Sequence, residues 1–169
     1  MNNQTSQEDF LQLIQDNKRI LFKICNSYCR NRNDREDLAQ EIIYELWKSG
    51  KSFDPDHKFS TWMYRIALNV AISFYRKEKR SVRKISLTDH LIDMEDKDED
   101  SSEENIRLLQ QFIQELGKLD KALMILWLEE KSYREIAEIL GITETNVATK
   151  LSRIRTGLKQ KFSQINEPL

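Results

Sequence analysis

Apolar positions recur at helical spacing along nearly the whole chain, and hardly anywhere do they alternate with polar ones as a strand requires. Phe10, Leu13, Ile14, Leu21, Ile24, Cys25 and Tyr28 mark one face of a helix predicted from Thr5 to about Cys29. Thr5-x-x-Glu8 has the spacing of a capping box at its start. After a polar break at 31–34, Asp34 is the expected cap of a helix over 35–49. Leu38, Ala39, Ile42, Ile43, Leu46 and Trp47 form its apolar face, and Asp37, Gln40, Glu41 and Glu45 its polar one. The stretch KSFDPDHK at 51–58 reads as a loop, because Pro55 disfavours helix at Asp54. Ser60 then caps a helix expected from Thr61 to about Arg80. Trp62, Ile66, Val70, Ser73 and Phe74 are its expected buried face, with Tyr64, Leu68, Ala71 and Tyr75 on the flank.

Periodicity lapses between Ser81 and about Ser102. Ser101-x-x-Glu104 opens another helix, with Ile106, Leu109, Phe112, Ile113 and Leu116 at core spacing, and Gly117 ends it or bends it. Leu119, Leu123, Ile125, Leu126 and Leu128 make one short helix more. Ser132-x-x-Glu135 is a third stretch with capping-box spacing, leading into Ile136, Ala137 and Leu140. Gly141 stops that helix where a positive φ is wanted, and Ile142 reads as a residue buried in the turn. Thr143 caps a last helix whose stripe is Val147, Leu151, Ile154 and Leu158. Two helices joined by a short turn containing glycine describe a helix-turn-helix, whose second helix enters the major groove.

Charge strengthens that reading. From Thr145 to Lys161 no acidic residue occurs, whereas Lys150, Arg153, Arg155, Lys159 and Lys161 are basic, as a helix lying on phosphates requires. An ordinary αα-hairpin with a solvated basic face is the alternative. The net charge of −1 conceals opposed blocks. Arg76 to Lys84 carries six basic residues and one acidic, and Asp93 to Glu104 carries eight acidic and one basic. The acidic block reads as a flexible linker. The helix before it begins aromatic and ends basic, a pairing that suits single-stranded nucleic acid; for Trp62 and Phe74, a place in the core is the favoured reading.

Composition excludes other classes. Four Gly and two Pro in 169 residues agree with a mostly helical chain. Cys25 and Cys29, one helical turn apart, read as packing residues rather than a disulfide. A zinc site would want four ligands, and neither His57 nor His90 has a plausible metal-binding neighbour in sequence, so no metal or other cofactor is expected. No nucleophile–base pair or glycine-rich phosphate loop argues for an enzyme. No apolar run near 20 residues and no signal peptide are present, so a cytoplasmic protein without membrane insertion is expected.

Two blocks together, DREDLAQEIIYELW followed by FSTWMYRIALNVAISFYRKEKR, and LDKALMILWLEEKSYREIAEILGITETNVATKLSRIRTGLK, resemble the extracytoplasmic-function class of bacterial RNA polymerase sigma factors. The likeness covers about Ile20 to Arg80 and Leu116 to Lys159. It implies an all-α fold of two domains, an amino-terminal helical bundle at 8–84 and a carboxy-terminal helix-turn-helix domain at 103–165, joined by a flexible acidic linker at 85–102. The expected function is that of the specificity subunit, which binds core RNA polymerase, recognises promoter DNA and helps to melt it. Threading of the linker through a basic channel of polymerase is an inference from its charge.

Carried over by position, Asp37, Gln40, Glu41 and Trp47 are candidates for contact with the β′ clamp helices of core polymerase. A solvated acidic face is the plain alternative for the first three, and a core role for Trp47. The minus-ten element, read as a melted strand, falls to the 52–58 loop as a trap for a flipped base. With it go Phe59, Trp62, Tyr64, Arg65 and Asn69, and then Arg76, Lys77, Lys79 and Arg80 towards phosphate. For the duplex minus-thirty-five element, Asn146, Ala148, Thr149, Ser152 and Arg153 face the groove, with Lys150 and Arg155 on phosphates. Ala148 and Thr149 stand where the family often carries a longer basic side chain, which implies a shifted sequence preference. Asp120 replaces a usual proline at a first helical turn, where an acidic residue sits well. The resemblance adds the β flap of polymerase and an anti-sigma factor as partners, on family grounds alone. The rivals are a helix-turn-helix regulator that binds duplex DNA without polymerase, and a metal-dependent nuclease using the carboxylates of Asp93 to Glu104.

Overall fold

The computed structural model describes residues 3–74 and 103–165, and all regular structure among them is helical. The chain divides into two compact units, Met1–Lys97 and Asp98–Leu169. The division falls inside the acidic 85–102 stretch, which lies outside the described residues together with 75–84.

In the first unit α1 (Asn3–Asp16) and α2 (Lys18–Tyr28) are separate helices where one continuous helix was expected. Asn17 makes the break. Its side-chain amide donates to the Leu13 carbonyl at 2.8 Å, and its backbone N–H is shared between the carbonyls of Leu13 and Ile14. A short amide side chain that competes for backbone acceptors ends a helix that periodicity alone would continue. The next helix also starts earlier than expected. Asn31, not Asp34, caps α3 (Arg32–Ser49): Asn31 Oδ1 accepts the Asp34 N–H at 2.8 Å while its Nδ2 donates to the Asp34 carboxylate at 2.8 Å. Asp34 serves as the acidic first-turn residue instead. Arg35 fastens the approach, donating to the carbonyls of Cys29 and Arg30.

A 3₁₀ turn at Gly50–Ser52 and the exposed 54–58 loop lead into α4 (Phe59–Phe74), which begins at Phe59 rather than after Ser60. Helices α2, α3 and α4 pack on one another around Leu21, Ile24, Tyr28, Leu38, Ile42, Leu46, Met63 and Leu68, all fully buried. The buried stripe of α4 is Phe59, Met63, Tyr64, Ala67, Leu68 and Ala71. It is rotated from the expected one: Trp62, Ile66, Val70 and Phe74 are half-buried and Ser73 is exposed. Small Ala67 and Ala71 face inward because they let α4 approach two helices at once. Cys25 and Cys29 are buried in this core and form no disulfide, and burial pushes the Cys25 thiol strongly up.

The second unit comprises α5 (Glu103–Glu115), α6 (Lys118–Leu128), α7 (Tyr133–Leu140) and α8 (Glu144–Ile165). Helix α6 is its centre, with Ala122 to Leu126 buried in succession between neighbours on several sides. Only the carboxy-terminal part of α5 packs, through Phe112 and Ile113, so Ile106 is exposed against expectation, as is Leu128 at the end of α6. Among the described residues no helix is long and apolar enough to cross a membrane.

Candidate nucleic-acid and polymerase interfaces

The helix-turn-helix is assembled by local chemistry. Ser132 Oγ accepts the Glu135 N–H at 3.1 Å and starts α7. Gly141 ends it at φ 69°, ψ 35°, and the N–H groups of Gly141 and Ile142 both reach the Ala137 carbonyl. Thr143 Oγ1 then accepts the Asn146 N–H at 3.1 Å, so α8 sets off in a new direction within three residues. Val147, Leu151 and Ile154 bury one side of α8, with Leu158 half-buried.

At 100° per residue, the line opposite that stripe runs through Thr145, Thr149, Ser152 and Thr156, all exposed. Asn146 and Arg153 are exposed beside it, whereas Ala148 and Lys150 are half-buried on its flanks. The outward centre of the helix is therefore short and uncharged, with cations along its edges. Sequence reasoning passed over Thr145 and Thr156; counting from the buried stripe finds them. Two of the basic residues are engaged within the unit. Arg155 lies over the Trp127 ring, 5.1 Å from its centroid. Lys161 pairs with Glu115 and stands 5.4 Å from the Phe112 ring centroid, tying α8 to α5.

On α4 the structure separates the expected strand-binding residues. Arg65 and Asn69 are exposed on one side. Tyr64 is only 2% exposed and Phe59 is also buried, so in this conformation neither presents a surface to a nucleic-acid strand. This corrects the expected place of Tyr64 on the flank of the helix: α4 packs against both α2 and α3, and its buried arc takes in Tyr64. Burial pushes the Tyr64 hydroxyl up to about 12. Trp62 is half-buried in a cluster of rings with Phe10, Phe53 and Phe59. The loop beside it is ordered by Asp54, whose carboxylate accepts the Asp56 N–H at 3.0 Å and lies 3.2 Å from His57 Nδ1. Arg76, Lys77, Lys79 and Arg80 lie outside the described residues.

On α3, Asp37 is exposed and Glu41 half-exposed, but Gln40 is only 3% exposed, which corrects its expected place on the outer face. The helix is gripped by α2 and α4 together, so its buried arc extends past the apolar residues to Gln40, whose Oε1 finds no hydrogen-bond partner among the described residues. Trp47 is 45% exposed, and Tyr44, which sequence reasoning missed, is 57% exposed. Tyr44 follows Asp37 and Glu41 at helical spacing, so all three share a face. An exposed tyrosine on a charged stripe is the signal that marks such a surface.

Residues 13–81 match the family model described as sigma-70 region 2, and residues 106–158 match that of sigma-70 region 4. The chain is 29% identical to the ECF RNA polymerase sigma factor SigW of Bacillus subtilis over 94% of this chain and 91% of SigW. It is 30% identical to the RNA polymerase sigma factor YlaC of the same organism, over 78% of this chain and 79% of YlaC. Among solved structures, CnrH in complex with the cytosolic domain of CnrY shares the fold, with a TM-score of 0.66 and 21% identity over 94% of this chain and 90% of that one. The sigma factor RpoE of Bartonella quintana, solved with the anti-sigma factor NepR, has a TM-score of 0.69 and 18% identity over 95% and 99%. A helical bundle of the region 2 type and a helix-turn-helix unit of the region 4 type define a sigma-70-type protein of promoter recognition. Within that class the chain belongs to the extracytoplasmic-function RNA polymerase sigma factors.

Proposed function

We propose that this sigma factor divides its work between its units as follows. Residues 8–84 bind core polymerase and the melted minus-ten strand, 103–165 read the minus-thirty-five duplex, and 85–102 tether the two. The observation that carries the reading is the outer face of α8, where Asn146, Thr149, Ser152 and Arg153 stand exposed opposite a buried stripe. Arg153 is the candidate for a bidentate guanine contact, and Lys150 and Arg155 for phosphate. On the first unit, the exposed Asp37, half-exposed Glu41 and exposed Trp47 support a polymerase contact, to which Tyr44 is added. Arg65 and Asn69, with Trp62 at the loop root, support contact with the single strand.

Melting then needs no catalytic group. A protein that binds the unpaired strand better than the duplex shifts the equilibrium by that difference in affinity. Such a role is not enzymatic, and work beside polymerase implies the cytoplasm. An anti-sigma factor is a further proposed partner, supported by the Bartonella quintana protein of this fold that is bound to one.

The test is transcription from genomic fragments by core polymerase with and without the chain. Transcripts that start at defined sites only with the chain present are expected. Specific binding to duplex DNA without any gain in polymerase specificity would instead establish the regulator that acts alone. Asp37→Arg is expected to weaken association with core polymerase, and an unchanged affinity would remove that face from the contact.

A further inference from the structure

Five aromatic rings meet where α1 crosses the start of α4. Phe53 and Phe59, at the two ends of the 54–58 loop, stand 5.3 Å apart between centroids, and both lie against Trp62 at 5.1 and 5.4 Å. The loop is thus pinched at its root by rings and shaped at its tip by Asp54. One further ring comes from outside this segment. Phe10 of α1 stands edge-on to Phe59 at 5.7 Å, to Trp62 at 5.8 Å and to Trp47 at 6.3 Å. Gly50 leaves the space for it: a Cβ at that position would come within 3.0 Å of the Phe10 ring. Gly50 has ordinary right-handed helical angles, so clearance for this ring, not backbone freedom, is what its missing side chain supplies.

From this arrangement we infer that Phe10 is a positioning residue for minus-ten recognition: docked against Gly50, it fixes the aromatic root of the 54–58 loop and so the register in which the loop meets an unpaired base. The inference rests on the proposed role of that loop. Phe10 itself touches no DNA. Edge-to-face ring contacts are directional, so replacing the ring by an aliphatic side chain of similar bulk removes the orientation while keeping most of the apolar contact. The Gly50 contact offers the same perturbation from the other side, since an alanine there displaces the ring by a few tenths of an ångström while adding helix propensity.

Holoenzyme is reconstituted from core polymerase and the full chain carrying Phe10→Leu, Gly50→Ala or both, with folding checked by circular dichroism. Initiation is measured on a promoter taken from the genomic-fragment assay, with each base of both elements substituted in turn. Each single variant is expected to lower discrimination among minus-ten bases by roughly two- to tenfold. Discrimination at minus-thirty-five stays as it was, the minus-ten loss persists at saturating core polymerase (so that any effect passed on through the Phe10–Trp47 contact does not enter it), and the double variant is no worse than Phe10→Leu, because the clash needs the ring. A loss spread evenly over both elements, a loss that follows core affinity, or additive single effects would show a merely structural ring and overturn the inference. Replacing 54–58 with glycine and serine separates the two claims. If that replacement leaves minus-ten discrimination intact, the loop has no such role and the inference falls with it. If it abolishes discrimination while Phe10→Leu and Gly50→Ala keep it, the loop reads the base and Phe10 alone is dismissed.

Discussion

The guanidinium carbon of Arg155 lies 5.1 Å from the centroid of the Trp127 ring, joining the recognition helix α8 to the central helix α6. A stacked guanidinium keeps its in-plane N–H donors at the edge, so the contact pre-orients Arg155 rather than consuming it. The expected consequence is that Trp127→Leu weakens binding of a minus-thirty-five duplex about two- to fivefold, the equivalent of about 0.5–1 kcal/mol for an exposed cation–π pair. Base preference should not change, since Trp127 is on another helix. Fluorescence-anisotropy titration of a labelled duplex with the holoenzyme, over the full set of base substitutions, measures both.

Two positive-φ residues in the second unit make opposite predictions. Gly141 ends α7 at φ 69°, a conformation that costs an L-residue about 1–2 kcal/mol, so Gly141→Ala is expected to lower the stability of the unit by that much. Glu130 ends α6 at φ 59° with a side chain in place, its N–H reaching the Trp127 carbonyl. Glu130→Gly is therefore expected to raise stability by up to about 1 kcal/mol. Chemical denaturation followed by circular dichroism checks both signs.

The Gly141 stop was legible in the sequence because a glycine ended an apolar run at the right spacing, while nothing marks Glu130 locally. The same division holds elsewhere. The caps at Ser132 and Thr143 and the stripe of α8 follow from side chains acting within one turn, and the structure has them where the pattern placed them. The break at Asn17 and the cap at Asn31 are just as local, yet asparagine competes for several backbone roles and pattern alone chose the wrong one. Burial of Gln40 and Tyr64 was not legible, because it depends on two helices gripping α3 and α4 from different directions. The aromatic cluster joins residues far apart in sequence, and the prediction of one long first helix hid the fact that α1 folds back to deliver Phe10.

Burial of Tyr64 predicts a pH dependence. Its hydroxyl rises from an ordinary value of 10.0 to about 12, because the phenolate would lose its hydration inside the bundle. A folded-state value above the unfolded one means that the native chain holds this proton more tightly. Its contribution to stability is therefore complete below pH 10 and is lost as pH rises towards 12. The midpoint of urea unfolding, followed by helical circular dichroism between pH 8 and 11, should fall over the last unit. Tyr64→Phe should flatten that fall, and an unchanged slope in the variant would assign it to other groups.

Arg153 and Lys150 make separable predictions because their side chains leave α8 at different angles from the buried stripe. Arg153 is exposed near the outward line, where its fork can meet both acceptors of a guanine edge; Lys150 is half-buried on the flank, where a single ammonium meets the backbone. Arg153→Ala is expected to remove about 1–3 kcal/mol of discrimination at one base pair of the minus-thirty-five element while other positions hold. Lys150→Ala should weaken all duplexes alike and lower the slope of log affinity against log salt by about 1. Holoenzyme titrations at several salt concentrations, on the parent duplex and its single substitutions, measure all of these quantities together. If Arg153→Ala lowered every affinity equally and changed the salt slope instead, the guanidinium would belong on phosphate. The hydroxyl row of Thr145, Thr149, Ser152 and Thr156 would then be left as the part of α8 that reads the bases.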